Sequence, residues 1–256
     1  MTQALLELKD LQMRFQGLTA LDNVSFAMQP GTIVSVIGPN GAGKTTLFNC
    51  VTGMYRATGG SVHFDGNDIS GLRAHQISRF GIARTFQNLA LFSGLTVLDN
   101  LLVGAYLQGS SGLLQGAFKT PKARAEQKAA LESAYEVLEF LGMTETAHLL
   151  PGELPYGRQK QVEFARALMQ KSRLVLLDEP MAGMSTPEKT AMTALIKRVQ
   201  AQFNMSFLIV EHDIPVIMDI SDRIVVLDFG KKIAEGTPSQ VQTNEAVIAA
   251  YLGTEH

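Results

Sequence analysis

Residues 33–53 read IVSVIGPNGAGKTTLFNCVTG: an apolar run, then Gly38, four residues, Gly43, Lys44 and Thr45, then a helical pattern. No other feature constrains the fold as much, because a strand that enters a glycine loop opening a helix is a fragment of a doubly wound α/β sheet. The glycines let backbone N–H groups curl round a phosphate, and the helix N-terminus favours its negative charge. Lys44 reaches the β- and γ-phosphates and Thr45 offers its hydroxyl to Mg²⁺. Gly38, Pro39, Asn40, Gly41, Ala42, Gly43, Lys44, Thr45 and Thr46 are therefore the expected nucleotide cradle. A glycine turn of purely structural purpose would not require both flanks.

Two later runs, RLVLLDEP and MSFLIVEHD, read as buried parallel strands that end in polar residues. Asp178, Glu179 and His212 then meet at one sheet edge. Asp178 suits Mg²⁺, often through water. Glu179, turned to the opposite face by strand alternation, is the expected general base that polarises an attacking water. His212 is placed to hydrogen-bond that water or the γ-phosphate. Taken alone, DEP is an acidic turn after a core strand; beside Lys44 it reads as the second half of a nucleotide site.

Around this core the grammar changes twice. LLELKDLQMRF and NVSFAMQPG, near the start, have the apolar clustering of antiparallel strands. Residues 88–150 read as an inserted helical subdomain: Leu131, Tyr135, Leu138 and Leu141 recur at helical spacing, Thr120 and Pro121 suit a cap and first turn, and LQGSSGLLQGAFKTP ahead of them suits an exposed connection. Towards the end, DRIVVLDFGKKIAEGTP reads as a strand, a turn at Phe229 and Gly230, a return strand, and then a short helix to AAYLG. One domain over 1–256 is expected, with 1–87 and 151–256 as core and β layer.

With 22 Lys and Arg against 24 Asp and Glu the chain lacks the basic excess that nucleic-acid binders usually show, so no nucleic-acid partner is expected. No run approaches the roughly 18 apolar residues of a membrane span, and the first residues lack the pattern of an export signal, so the cytoplasm is the expected compartment. The single Cys50 reads as a small buried hydrophobe.

In these motifs the chain resembles the nucleotide-binding subunit of an ABC transporter, from about Leu5 to Gly253. GPNGAGKTT matches the Walker A sequence and LVLLDE the Walker B; TFQN resembles the Q-loop, with Gln87, and VEHD the switch histidine, His212. Phe15 stands where the family stacks an aromatic on adenine. GELPYGRQKQVEFARAL, a loop-like start running into a helix, places LPYGRQ where the family carries the signature LSGGQ. The resemblance thus implies a P-loop NTPase core with a mostly parallel sheet, an N-terminal antiparallel β subdomain and an inserted α-helical subdomain. Gln87 becomes a catalytic and metal-ligand candidate, and Pro155, Tyr156, Gly157 and Arg158 are expected to close over a partner's ATP.

GIARTFQN, LPYG, LDEPMAGMS and ISDRIVVLDFGKKIAEGTP resemble, more narrowly, the ATPase subunits of bacterial branched-chain amino acid importers. That resemblance implies ATP and Mg²⁺, a second ATPase subunit of the same or a different chain, two membrane permease subunits, a periplasmic substrate-binding protein, and a seat at the cytoplasmic face of the inner membrane. Pro155 and Arg158 replace the signature serine and glutamine, and Ser185 replaces the D-loop aspartate, so a weakened signature face is expected. Leu89, Leu91, Phe92, Leu95 and Leu98 are expected either to dock a permease or to pack the helical subdomain.

Among alternatives, a P-loop kinase has no reason to carry Gln87, the signature and His212 in this order. A chromosome-maintenance ATPase needs long heptads between its Walker motifs. An ABC translation factor carries two cassettes. Another imported cargo, such as urea, short amides or a different amino-acid class, stays open because cargo is chosen by absent partners.

Overall fold

The computed structural model describes residues 3–85, 89–106 and 121–252. Gln87, Thr120 and the glycine- and serine-rich connection before Pro121 lie outside the described residues.

Three apolar runs become β3 (Ile33–Ile37), β7 (Leu174–Asp178) and β8 (Ser206–Val210), buried at every position. Burial on both faces is what a strand inside a helix-covered parallel sheet requires. With β6 (Ile82–Arg84), β9 (Arg223–Asp228) and β10 (Lys231–Gly236) they form a sheet in the order β10-β9-β3-β8-β7-β6, parallel except for the β9–β10 hairpin. Both central turn residues of that hairpin, Phe229 and Gly230, have positive φ, as a two-residue turn matched to strand twist demands.

A second, antiparallel sheet holds β1 (Leu6–Phe15), β2 (Leu18–Met28), β4 (Gly59–Phe64) and β5 (Asn67–Asp68), in the order β2-β1-β4-β5. Helix α1 (Lys44–Val51) lies between the sheets, its Leu47 and Phe48 sharing a core with Leu6, Leu8 and Phe64 of the small sheet and Leu174, Leu176 and Leu208 of the large one. Alternation sends Val175, Leu177, Phe207 and Ile209 to the other face. There they meet α3 (Val97–Tyr106), α4 (Pro121–Phe140), α5 (Tyr156–Leu168) and α6 (Thr186–Phe203). The one-turn helix α2 (Ala74–Ile77) precedes β6.

Of the spaced residues on α4, Leu138 and Leu141 are buried and Tyr135 is partly so, while Leu131 is 38% exposed, past the edge of the buried stripe. Helices α3 and α5 touch backbone to side-chain position: a Cβ on Gly104 would lie 2.3 Å from the Arg166 carbonyl oxygen.

Beyond α7 (Ile214–Ile220) and the hairpin, the single short helix expected at the end is two, α8 (Pro238–Gln242) and α9 (Glu245–Leu252). Each start is capped: the Gln240 amide oxygen accepts from the Thr237 N–H at 2.8 Å, and Asn244 Oδ1 accepts from the Ala246 N–H at 3.0 Å. The second cap former interrupts what apolar content alone would continue. Among the described residues no helix is long and apolar enough to cross a membrane.

Candidate functional site

The cradle is built where β3 ends. Residues 38–43 turn back on themselves, with the Ala42 N–H donating to the Pro39 carbonyl at 3.2 Å, and the β9–β10 turn props them as the Gly230 N–H donates to the Ala42 carbonyl at 3.1 Å. Gly43 has φ +101°, and a Cβ there would meet the Ala20 carbonyl oxygen at 2.6 Å, so only glycine lets β2 approach. That approach sets the β1–β2 hairpin, with Phe15 at the end of β1, beside the cradle; the Phe15 ring stands edge-on to Tyr55 at 5.3 Å.

Lys44 lies folded over the loop it follows, its Nζ donating to the Gly38 carbonyl at 2.6 Å and the Pro39 carbonyl at 3.0 Å. Burial holds its ammonium below the usual lysine range, against the opposing pull of Glu179 and Asp178. Thr45 is exposed and Thr46 half-buried. Cys50 is buried on α1, and desolvation pushes its thiol up to about 11, in keeping with an inert core residue.

Asp178 closes β7 with its carboxylate nearly buried, and Oδ2 receives Arg84 Nη2 at 2.7 Å. Arg84 ends β6, bonds Asn49 Oδ1 of α1 at 2.6 Å, and lies over the Phe48 ring. Glu179 is not placed by strand alternation, because β7 ends at Asp178. It stands one residue past the strand in left-handed backbone, φ +49°, with its N–H donating to the Val210 carbonyl at 2.8 Å. There its Oε1 lies 2.9 Å from His212 Nε2. Glu211, buried beside His212, accepts from the His212 N–H and from the Met181 N–H, both at 2.9 Å, and so ties the two strand-end loops together.

Pro155 is the N-cap of α5, not part of its first turn; its carbonyl accepts from the Gln159 N–H at 3.1 Å. Tyr156 Oη donates to the Ala182 carbonyl at 3.2 Å, Arg158 folds along the helix to Gln161 Oε1 at 3.0 Å, and the Glu188 carboxylate accepts from the Ser185 N–H and hydroxyl at 2.8 and 2.7 Å. These bonds, with a further one from the Gly157 amide, hold the Glu188 carboxyl below the usual range, the Ser185 hydroxyl first among them. The altered signature and the altered D-loop position are thus joined within one chain. Among the described residues, the polar contacts of 155–158 run to this loop and helix rather than to 38–46.

Residues 21–182 match the model of the ABC transporter family, and residues 231–256 match that of the branched-chain amino acid ATP-binding cassette transporter. The chain belongs to the ABC transporter family. Two relatives cover 99% of this chain and are covered over 99% of their own: the high-affinity branched-chain amino acid transport ATP-binding protein BraF of Pseudomonas aeruginosa, 45% identical, and its LivG counterpart from Escherichia coli strain K12, 44% identical. The ADP conformation of an ATP-binding cassette of an ABC transporter superimposes with a TM-score of 0.86 over 98% of this chain and 100% of that one, at 33% identity. The protein is therefore an ATP-binding ATPase cassette with the P-loop fold that the motifs implied.

In this cassette the Lys44 ammonium feels both Asp178 and Glu179, and Glu179 in turn reaches His212. Arg84 and Glu211 were missed by sequence reasoning. The signal for each was a lone charge against an apolar strand, at the end of GIAR and inside IVEHD. Of the five apolar residues after Gln87, Leu98 is buried and Leu91 packs on the core, so neither is free to dock; Leu89 is half-buried, while Phe92 and Leu95 are exposed.

Proposed function

We propose that this cassette is one of two ATPase subunits driving a membrane importer of branched-chain amino acids. The observation that carries the ATPase role is Lys44 folded over the cradle beside the Asp178, Glu179 and His212 edge. For the cargo, support comes from the names of BraF and LivG and from the match over residues 231–256.

ATP enters the loop of Gly38 to Thr46 with its adenine against Phe15, and Lys44 exchanges the Gly38 and Pro39 carbonyls for phosphate oxygens. The exposed Thr45 hydroxyl and the Asp178 carboxylate are hard oxygen donors, the chemistry that Mg²⁺ takes, and Gln87 is assigned to the same set. Mg²⁺, when bound, neutralises charge developing on the phosphates. To join that set Asp178 would have to give up Arg84, whose guanidinium it holds at 2.7 Å. Glu179 orients a water towards the γ-phosphorus and takes its proton, while the 2.9 Å contact to His212 keeps the carboxylate aimed. Pro155, Tyr156, Gly157 and Arg158 close over the ATP of the second subunit.

Residues 88–150, as the helical subdomain, present Phe92 and Leu95 to one of two permeases at the cytoplasmic face of the inner membrane, and a periplasmic binding protein delivers cargo from the other side. Co-expression with its permeases, reconstitution and uptake assays test this reading. Leucine uptake should require ATP and vanish in Lys44→Ala, whose ATP affinity should fall at least roughly 10- to 100-fold, the equivalent of one charge-assisted hydrogen bond. Wild-type affinity in that variant would overturn the cradle, and uptake of urea or amides in place of leucine would overturn the cargo.

A further inference from the structure

Helix α5 carries three ionisable residues one turn apart, Lys160, Glu163 and Arg166, on a side facing residues 89–92. Lys160 and Glu163 are 2% and 4% exposed and pair at 3.5 Å. Glu163 Oε1 accepts from the Ala90 N–H at 3.4 Å, while Arg166 Nη1 donates to the Ala90 carbonyl at 2.5 Å. Both backbone groups of one residue are therefore held by one helix. The Arg166 guanidinium also lies 5.9 Å from the Phe92 ring centroid.

Two residues on, the grip continues from α3. Buried Asn100 accepts from the Phe92 N–H at 2.9 Å and donates to the carbonyls of Phe92, Leu95 and Thr96 at 3.0 to 3.2 Å. The backbone under Phe92 is fixed, while its ring is 51% exposed.

Stability alone does not account for charges at 160 and 163. A buried pair gains little over apolar residues of similar volume, and α5 is already anchored by Val162, Phe164 and Ala165, all buried. What the charges add is a directional hold on a peptide. At the other end of α5, about 15 Å away at 1.5 Å per residue, stands Pro155.

We propose that Glu163 and Arg166, with Lys160 as the counter-charge of Glu163, are positioning residues that fasten Ala90 to α5, so that displacement of Phe92 reaches residues 155–157 as movement of one rigid body. Among the described residues their contacts run to Ala90, Lys160 and Phe92, not to the cradle at 38–46. They set how strongly contact at Phe92 governs ATP turnover at the far end of the helix. The coupling role rests on the importer reading above; the fastening does not.

The variants are Lys160→Met with Glu163→Leu, which keeps volume and removes the acceptor, Arg166→Met, and the conservative Arg166→Lys. In the purified full chain, amide exchange over residues 89–95 should quicken in the first two. Their KM for ATP and unstimulated turnover should stay within about twofold of wild type, a split that a collapsed helix would not give. In the reconstituted importer, cargo-stimulated turnover and uptake should fall roughly tenfold, with Arg166→Lys recovering part of the loss. Unchanged exchange over 89–95 overturns the fastening. Quickened exchange with full stimulation overturns its role in coupling, as does a parallel loss of unstimulated turnover. If wild type shows no cargo stimulation at all, the importer reading fails, and the exchange result still decides whether Ala90 is held.

Discussion

Arg84 is the residue that most changes how the Asp178 edge is understood. Asp178 was legible as a strand-end carboxylate because four apolar residues lead to it, yet nothing in LVLLDE indicates that a guanidinium already engages it. The partner arrives through the sheet. Parallel pairing of β6 with β7 sets Ile82 opposite Leu174 and Arg84 opposite Leu176, so that the long side chain reaches two residues along to Asp178. Strand order is a tertiary fact that spacing along the chain cannot supply. Breaking a buried pair from one side leaves an uncompensated charge costing about 3 to 5 kcal/mol. In a protein of this size Arg84→Met should therefore lower the melting temperature by roughly 10 °C. Because Mg²⁺ would supply the missing cation, ATP with Mg²⁺ should return more stability to the variant than to wild type. Thermal melts with and without ligand check both, and an unchanged apo melting temperature would show that the pair is not an important structural contact.

Elements were easiest to foresee where burial is total. β3, β7 and β8 are buried throughout, apolar but for Ser35, Asp178 and Ser206, and were legible as runs, and α4 was legible by spacing except at Leu131, where periodicity gives a face but not its width. The two-helix end was missed because Thr237, whose hydroxyl accepts from the Gln240 N–H, and Asn244 act as caps through side-chain bonds that hydropathy does not register. A similar blind spot covered α6, whose start, Ser185-Thr186-Pro187-Glu188, has a capping-box form that was read only as a missing D-loop aspartate. The segment 89–98 divides for a physical reason: Leu98 sits on the buried stripe of α3, whereas Phe92 precedes the helix on a loop held by Asn100. That hold makes Phe92→Glu a clean probe. The ring is half in solvent, so the isolated variant should melt within a few degrees of wild type, in line with ordinary surface changes of about 0.5 kcal/mol. Assembly with the permeases should nevertheless fail by co-purification, since a carboxylate would be buried in an apolar contact. Normal assembly and uptake would remove Phe92 from the docking surface.

For the molecule as a whole, the arrangement of 155–158 bears on whether two ATP sites in a dimer would be equal. In a head-to-tail pair each ATP lies between one chain's cradle and the other chain's signature, so a different partner chain makes two different sites. Pro155 caps α5 with neither a hydroxyl nor an N–H, Tyr156 spends its hydroxyl on Ala182, and Arg158 lies along the helix to Gln161. A hydrogen bond to a charged group contributes about 1.5 to 3 kcal/mol. What stays is the N-terminal dipole of α5 and the amides of Tyr156 and Gly157, with the dipole contributing about 0.3 to 2 kcal/mol. The site completed by this chain's signature should therefore be weakened rather than dead. This chain's own Lys44, Asp178 and Glu179 would face the partner's signature, and with a full LSGGQ-type sequence there hydrolysis should favour that site. Glu179→Gln should then depress transport-coupled ATPase more than the equivalent change in the partner. Pro155→Ser should raise turnover at the partner's cradle. The same substitution supplies a better cap, worth about 0.5 to 2 kcal/mol of stability, so a rise in melting temperature without a rise in turnover separates capping from catalysis. Equal losses from the two glutamate variants, with no gain in turnover from Pro155→Ser, would make the sites equivalent and leave LPYGRQ a sequence variant whose bonds serve only its own chain.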